Sequence, residues 1–328
     1  MLRYLTRRLA YYVILAFIAT SLTYLMASLS FNPRAAYEAR NPPPPDSVVN
    51  SQLSLIGVND QDPLLERYAT WAGKTLMGDL GQSITNRSIN DEFGERFAVS
   101  LQLLIVGSIV GLVLGVLLGF WNAVRQYQIS DRVTTILSFI LLSTPVFLSA
   151  VLLKIGATGL NGILGFQLIN FTGAATAGFQ GSFWPWLADR AVHLLLPTIS
   201  IALGSIAIYS RYQRATMLDV LNSDYIRTAR AKGLTRTHAT LKHGLRTALI
   251  PMTTLFAYGF LGVFVGATFT EKIFGWNGLG AWFIDGVQAN DVNVVVAYTL
   301  FASIVVLLAG FLADVANAAL DPRVRAAR

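Results

Sequence analysis

Cysteine is absent from the 328 residues. That excludes disulfides, a thiolate metal site and a thiol nucleophile, and says nothing about compartment. Histidine is nearly absent too, with His193, His238 and His243 the whole set. The last two stand five apart, so they do not share a helix face as an i, i+4 ligand pair would, and no metal is expected. Charged residues make up only 13%, against about a quarter in a soluble domain. No pair of carboxylates falls inside a long apolar run, which argues against a carrier built on buried acids. Phosphate-binding loops are missing as well. Gly73-Lys74-Thr75 has Tyr68 where a Walker A loop needs glycine, and GWNGLG from Gly275 to Gly280 has the wrong spacing for a dinucleotide fingerprint. With no nucleophile–base pair in the apolar runs, no catalytic residue and no bound cofactor are expected.

Apolar sequence is abundant, at 54% hydrophobic residues, and needs a non-aqueous solvent. Six long runs stand out: Leu9–Ser30, Ala98–Trp121, Val133 to about Ile155, His193–Ser210, Pro251–Thr270 and Val294 to about Ala313. They predict an all-α polytopic membrane protein with six spans and both termini on one side. The first run follows Arg3, Arg7 and Arg8. It exceeds the roughly 7–15 apolar residues of a signal-peptide core, which favours a retained span over a cleaved leader. Arginines and lysines gather in the segments facing the termini: Arg125, Arg132, eight basic residues from Arg211 to Arg246, and Arg323, Arg325 and Arg328. The long first loop carries acids such as Glu38, Asp60, Glu66 and Asp79. Both termini are therefore expected in the cytoplasm, and the formal charge of +7 reflects topology rather than nucleic-acid binding. The expected division is a cytoplasmic start and first span (1–30), an extracytoplasmic segment (31–97) and a core of five spans (98–328).

One polar island interrupts that core, within an inside loop covering 211–250. Asp224 to Pro251 reads DYIRTARAKGLTRTHATLKHGLRTALIP, with one acid against six cations. The pattern predicts two short helices broken at Gly233. Asn222, Ser223 or Asp224 can cap the first, Arg230 and Lys232 suit its C-terminal dipole, and Thr235 can cap the second. Pro251 is expected to open the next span as a first-turn residue. A bent, doubly capped loop suits docking to another protein. The competing reading is a basic amphipathic helix on anionic lipid.

Four further features carry expectations. Gly107, Gly111, Gly115 and Gly119 recur every four residues and lie on one face of the second span, where a neighbouring backbone can approach; Gly262 and Gly266 form a similar pair in the fifth. Pro145 inside the third span predicts a kink or break. Lys154 near that span's outer end is expected to snorkel to the interface, with a role in substrate handling as the alternative. The outer segment from Gly156 to Val192 is rich in glycine and aromatics, and the one from Glu271 to Asn293 carries Trp276 and Trp282.

These residues together resemble the permeases of ABC importers, in the peptide, opine and nickel uptake group. The 224–251 loop is similar to their cytoplasmic coupling loop. MGDLGQS (Met77–Ser83), EKIFGWNGLG (Glu271–Gly280) and LDPRVR (Leu320–Arg325) match the group in the expected order, and SRYQRATMLDVL (Ser210–Leu221) resembles the oligopeptide branch of mycobacteria and other actinobacteria. Two departures stand out: Arg227-Thr228-Ala229 replaces the Glu-Ala-Ala of importers at large, and the Pro-Gly-Asp-Pro after the first span is missing. The resemblance implies a non-enzymatic subunit of an ATP-driven importer. Its partners would be a second homologous permease, two cytoplasmic ATPases holding ATP and magnesium, and an extracytoplasmic peptide-binding protein. Arg227, Thr228, Ala229, Lys232, Gly233 and Leu234 would form the ATPase-docking core. Glu271, Phe274, Gly275, Trp276 and Gly278 would meet the delivery protein or plug the outer mouth, the bland alternative being an aromatic belt. Oligopeptide is the expected cargo, with dipeptide, nickel chelate, glutathione or haem as alternatives, and a stand-alone secondary carrier as the rival class.

Overall fold

A computed structural model describes residues 2–320, and in it the chain is helical almost throughout. Among the described residues the extended pairing is limited to one isolated antiparallel bridge, Gln82 with Ser88. The helices are α1 (Leu2–Ser30), α2 (Ala35–Glu38), α3 (Asp46–Leu55), α4 (Leu64–Leu76), α5 (Ile89–Val124), α6 (Ile129–Ser143), α7 (Val146–Leu164), α8 (Phe183–Leu221), α9 (Asp224–Ala231), α10 (Arg236–Ala239), α11 (Arg246–Phe274), α12 (Leu279–Gln288) and α13 (Val292–Leu320), with a π-helical turn over Thr240–Leu245. Among the described residues five stretches are long and apolar enough to cross a membrane: Leu9–Ser30, Ile89–Val124, Val146–Leu164, Phe183–Leu221 and Val292–Leu312. The expected fifth span, Pro251–Thr270, is helical within α11 but includes positions whose side chains lie outside the described residues.

The third span differs from expectation in extent. It is two helices, because Thr144 and Pro145 adopt extended backbone angles (ψ 122° and 141°) between α6 and α7. Proline cannot donate an amide hydrogen and forces its predecessor out of the α region, so the break falls at Thr144. Pro251 behaves differently from its expected role. It sits inside α11 rather than at the start, since α10, the π turn and α11 are consecutive without a break. The second short helix of the island is therefore the beginning of the fifth span.

The chain forms two compact units. Among the described residues one comprises 2–101 with 276–307, the other 102–275 with 308–320. In the first, residues 31–97 are ordered around Tyr24, Leu53, Val58, Ile84, Val292 and Val296, with Trp71 stacked on Tyr24 at 4.7 Å. Polar side chains fix its register: Asn293 Nδ2 donates to the Ile56 and Gln82 carbonyls at 3.0 and 2.8 Å. The Asp291 carboxylate accepts from the Ile84 amide at 2.8 Å and caps α13 through the Val294 amide at 3.2 Å. Burial pushes the Asp291 carboxyl up to about 6, against the pull of these backbone donors.

In the second unit α5 and α8 are packed along the glycine stripe. A Cβ added at Gly107 would lie 2.8 Å from Ile201 Cγ2, at Gly111 2.6 Å from Ser205 Cβ, and at Gly115 2.7 Å from Tyr209 Cβ. At Gly119 it would lie 2.5 Å from the Ser210 carbonyl oxygen. Residue numbers rise together on both sides of this seam, so the two helices run in the same direction, and the missing side chains permit close backbone approach. Gly262 and Gly266 lie within α11 at positions whose surroundings are outside the described residues.

Candidate functional site

The basic loop is built outward from the end of α8. Ile226, the one large aliphatic residue of α9, is 2% exposed and packs with Met217, Val220 and Ala248. That contact ties α9 to the last turns of α8 and the first turn of α11. Gly244, in the π turn, leaves room for it: an added Cβ would meet Val220 Cγ1 at 3.1 Å and Ile226 Cδ1 at 3.7 Å.

The stop at the end of α9 arises from local chemistry. Gly233 has φ +92°, a conformation that only glycine adopts without strain. Its amide donates to the Arg230 carbonyl at 3.0 Å and the Leu234 amide to Ala229 at 3.3 Å, the paired bonds of a Schellman ending. Thr235 Oγ1 accepts from the His238 amide at 3.3 Å, so the next helix is capped as its sequence suggests. Ser223 occupies the N-cap position of α9 with extended backbone, but its hydroxyl turns back to donate to the Val220 carbonyl at 2.6 Å. The expected side-chain cap is therefore not made.

Of the six candidate docking residues, Arg227, Thr228, Lys232 and Gly233 are exposed, while Ala229 and Leu234 are half-buried. Arg227 lies 3.5 Å from Asp224, both largely exposed, a geometry that holds little energy in water. Thr228 Oγ1 donates to the Asp224 carbonyl at 2.9 Å. The outward face is thus small and basic, with Tyr225 and Leu241 exposed beside it.

Nearby, Asp131 and Arg214 form a bidentate pair with contacts of 2.6 and 2.8 Å. The same carboxylate accepts from the Tyr127 amide at 2.9 Å. Hydrogen bonding to Arg214, then the Tyr127 amide, outweighs burial and holds the Asp131 carboxyl below its usual range. This pair fastens the short α5–α6 loop to α8, a role that composition alone does not signal.

At the C-terminal end of α11, the other candidate contact residues are mostly covered. Glu271, Phe274, Trp276 and Gly278 are buried, and only Gly275 is exposed. Gly275 ends α11 in the left-handed region with φ +67°. The Phe274 carbonyl accepts from the Gly173 amide at 2.8 Å. Lys154 does not snorkel freely: its Nζ donates to the Ile273 carbonyl at 2.8 Å, where a cation suits the helix C-terminus. His193 Nδ1 lies 3.0 Å from the Gly173 carbonyl, binding the preceding loop to α8. Among the described residues no cluster of potential metal ligands occurs. LDPRVR falls almost wholly outside the described residues.

Comparison with known proteins gives consistent results. The family described as "Binding-protein-dependent transport system inner membrane component" matches residues 111–326. The chain is 51% identical over 325 residues, 99% of each chain, to the oligopeptide transport system permease protein OppB of Mycobacterium tuberculosis. It is 34% identical over 274 residues, 83% of each chain, to the oligopeptide transport system permease protein AppB of Bacillus subtilis. Among solved structures it resembles a chain of the MetNI methionine ABC transporter in an inward-facing form, with TM-score 0.54, 17% identity, and coverage of 70% of this chain and 96% of that one. At that identity the likeness concerns fold alone.

Proposed function

This chain belongs to the family of inner-membrane components of binding-protein-dependent transport systems, and from that premise we propose that it is one permease half of an ATP-driven oligopeptide importer. Six spans with cytoplasmic termini would complete its path with a second, homologous permease. Two cytoplasmic ATPases would bind ATP and magnesium, and an extracytoplasmic binding protein would deliver the peptide. The chain itself carries no chemistry; its part is to shape a path and to receive force.

The observation that carries this reading is the construction of α9. Its outer face is exposed and basic, its end is set by Gly233, and its inner face is pinned by Ile226 to the two long helices α8 and α11. A rigid amphipathic helix with one buried anchor transmits displacement, whereas a helix lying on lipid would not need to be anchored to two spans. Small residues at Ala229 and Ala231 let a partner groove approach, and Arg227 and Lys232 can orient it by charge-assisted contacts. ATP-driven closure of the ATPases would move α9, and the spans would move with it. Support for the cargo comes from the relatives named for oligopeptide transport at 51% and 34% identity.

The test is co-purification from membranes of the intact chain beside a Gly233→Arg variant. A bulky cation in the left-handed position strains the turn and blocks close approach. The expected outcome is that wild type brings down a second permease and ATPases, while the folded variant keeps the permease and loses the ATPases. Recovery of the wild-type chain alone, still moving solute in vesicles, would make it a secondary carrier.

A further inference from the structure

At the break in the third span, Ser143 and Pro145 are exposed although they lie near the middle of an apolar run. Non-helical backbone at that depth is not stable against lipid; it must be covered by protein or line a water-filled cavity. Beside the break is a cavity of about 230 Å³, lined by Thr144, Val146, Gly204, Ser205, Tyr209 and Gly259. Gly204 faces open space, with no atom within 4 Å of an added Cβ. Gly259 abuts the Tyr209 hydroxyl, 3.0 Å from its own added Cβ.

A second cavity, of about 490 Å³, adjoins the first: Leu142 and Ile208 line both. It runs between α6 and α8 to Arg211, Tyr212 and Arg214 at the inner end. Its size falls in the roughly 300–1,000 Å³ range of ligand sites. The two arginines are not equivalent. Arg214 is neutralised by Asp131. Arg211 rests its guanidinium 4.0 Å from the centroid of the Phe139 ring, and among the described residues no carboxylate pairs with it. An exposed, unneutralised guanidinium at the end of a groove that starts at broken backbone fits an anionic, partly apolar, water-borne ligand.

We propose that this groove is this chain's wall of the cargo path, and that Arg211 receives the α-carboxylate of a peptide leaving toward the cytoplasm. This rests on the importer reading and names the site within it. Thr144, whose hydroxyl donates to the Ile140 carbonyl at 2.8 Å, offers its oxygen as an acceptor at the break, Gly204 leaves width for varied side chains, and Phe139 supports the guanidinium at the groove's end.

The native absence of cysteine makes the test direct. Gly204→Cys and Tyr212→Cys are placed singly in the assembled transporter, reconstituted in vesicles, and exposed to a charged, membrane-impermeant methanethiosulfonate. Both thiols are expected to be modified, and saturating peptide is expected to slow that reaction. In parallel, Arg211→Gln is expected to raise KM for a free-acid peptide by about tenfold, the scale of one charge-assisted hydrogen bond. It should leave the C-terminally amidated peptide unchanged, and Arg211→Lys should recover most of the loss. Unreactive thiols in a transporter that still takes up peptide would overturn the proposal alone. So would equal losses for both peptides, or an Arg211 effect that appears only with anionic lipid, which would make it a headgroup contact. Absence of ATP-driven uptake by wild type would remove the importer reading and this proposal with it.

Discussion

Adding one methyl group along the α5–α8 seam should have graded effects set by what that methyl meets. Ordinary carbon–carbon contact lies at about 3.5–4.0 Å, so the added Cβ at each stripe position intrudes by about 1 Å. At Gly107 the obstacle is Ile201, with Cγ2 at 2.8 Å and Cβ at 3.2 Å, a β-branched side chain whose χ1 is nearly fixed in a helix. At Gly111 and Gly115 it is the Cβ of Ser205 and Tyr209, which moves only with backbone. At Gly119 it is the Ser210 carbonyl oxygen at 2.5 Å and the Arg214 amide nitrogen at 3.1 Å, both backbone. Overpacking costs about 1–3 kcal/mol, while replacing glycine by alanine in a helix returns up to about 1 kcal/mol. Gly107→Ala is therefore expected to lose about 1 kcal/mol. Gly111→Ala and Gly115→Ala should lose about 1 kcal/mol, and Gly119→Ala about 2 kcal/mol or more. Gly159→Ala in α7, with nothing within 4 Å, should be neutral or slightly stabilising. Reversible unfolding of the purified chain in mixed micelles, followed by tryptophan fluorescence, measures the series. Equal effects at Gly107 and Gly119, or a Gly119→Ala variant as stable as Gly159→Ala, would refute the close-packed seam.

Buried groups elsewhere give three more expected outcomes. Ile226→Ala should free α9 from its anchor at about 2–4 kcal/mol; amide hydrogen exchange is expected to quicken across 224–231 while α5 and α8 stay protected. Asp131→Asn should loosen the α5–α6 loop by roughly 1–3 kcal/mol, less than for a fully buried pair because Arg214 is partly exposed. Because the native Asp131 carboxyl is lowered by its arginine, that stabilisation is present above about pH 4 and lost as pH falls through the native value, so thermal stability of this loop should be flat from about pH 5 to 8. Asp291 has the opposite sign: with its carboxyl pushed up to about 6, ionisation disfavours the folded state, and stability falls as pH rises from about 4 to about 6. The unfolding free energy of the unit that holds Asp291 should fall by roughly 1 kcal/mol between about pH 5 and 7, and a stability that stays flat or rises over that window would contradict the burial of that carboxylate.

Local chemistry decides which features are legible in the sequence. Gly233 ends α9 because only glycine enters the left-handed region cheaply, and Thr235 caps the next helix; neither needs a distant partner. The four-residue glycine period and the Pro145 break are visible for the same reason. Pro251 misleads because a proline inside a helix and one at its start look alike in sequence, and the π turn that carries the backbone from α10 into α11 has no compositional mark. Ile226 and Gly244 escape notice because their role exists only when Val220 and Ala248 are brought beside them. Lys154 reads as a snorkelling cation, yet a helix end 119 residues away supplies its acceptor. The ordering of residues 31–97 likewise depends on Asp291 and Asn293, more than 200 residues beyond Ile84 and Gln82.

The importer reading requires that the exposed face of α9 receive an ATPase. Thr228→Cys, a unique thiol in a cysteine-free chain, carries a short photo-activated crosslinker in membranes of cells expressing the whole transporter. The expected result is one crosslinked product containing an ATPase subunit, with a yield that changes when ATP hydrolysis is blocked. Crosslinks to lipid alone, or a Thr228→Cys thiol that stays fully open to solvent in a transporter still turning over ATP, would contradict it.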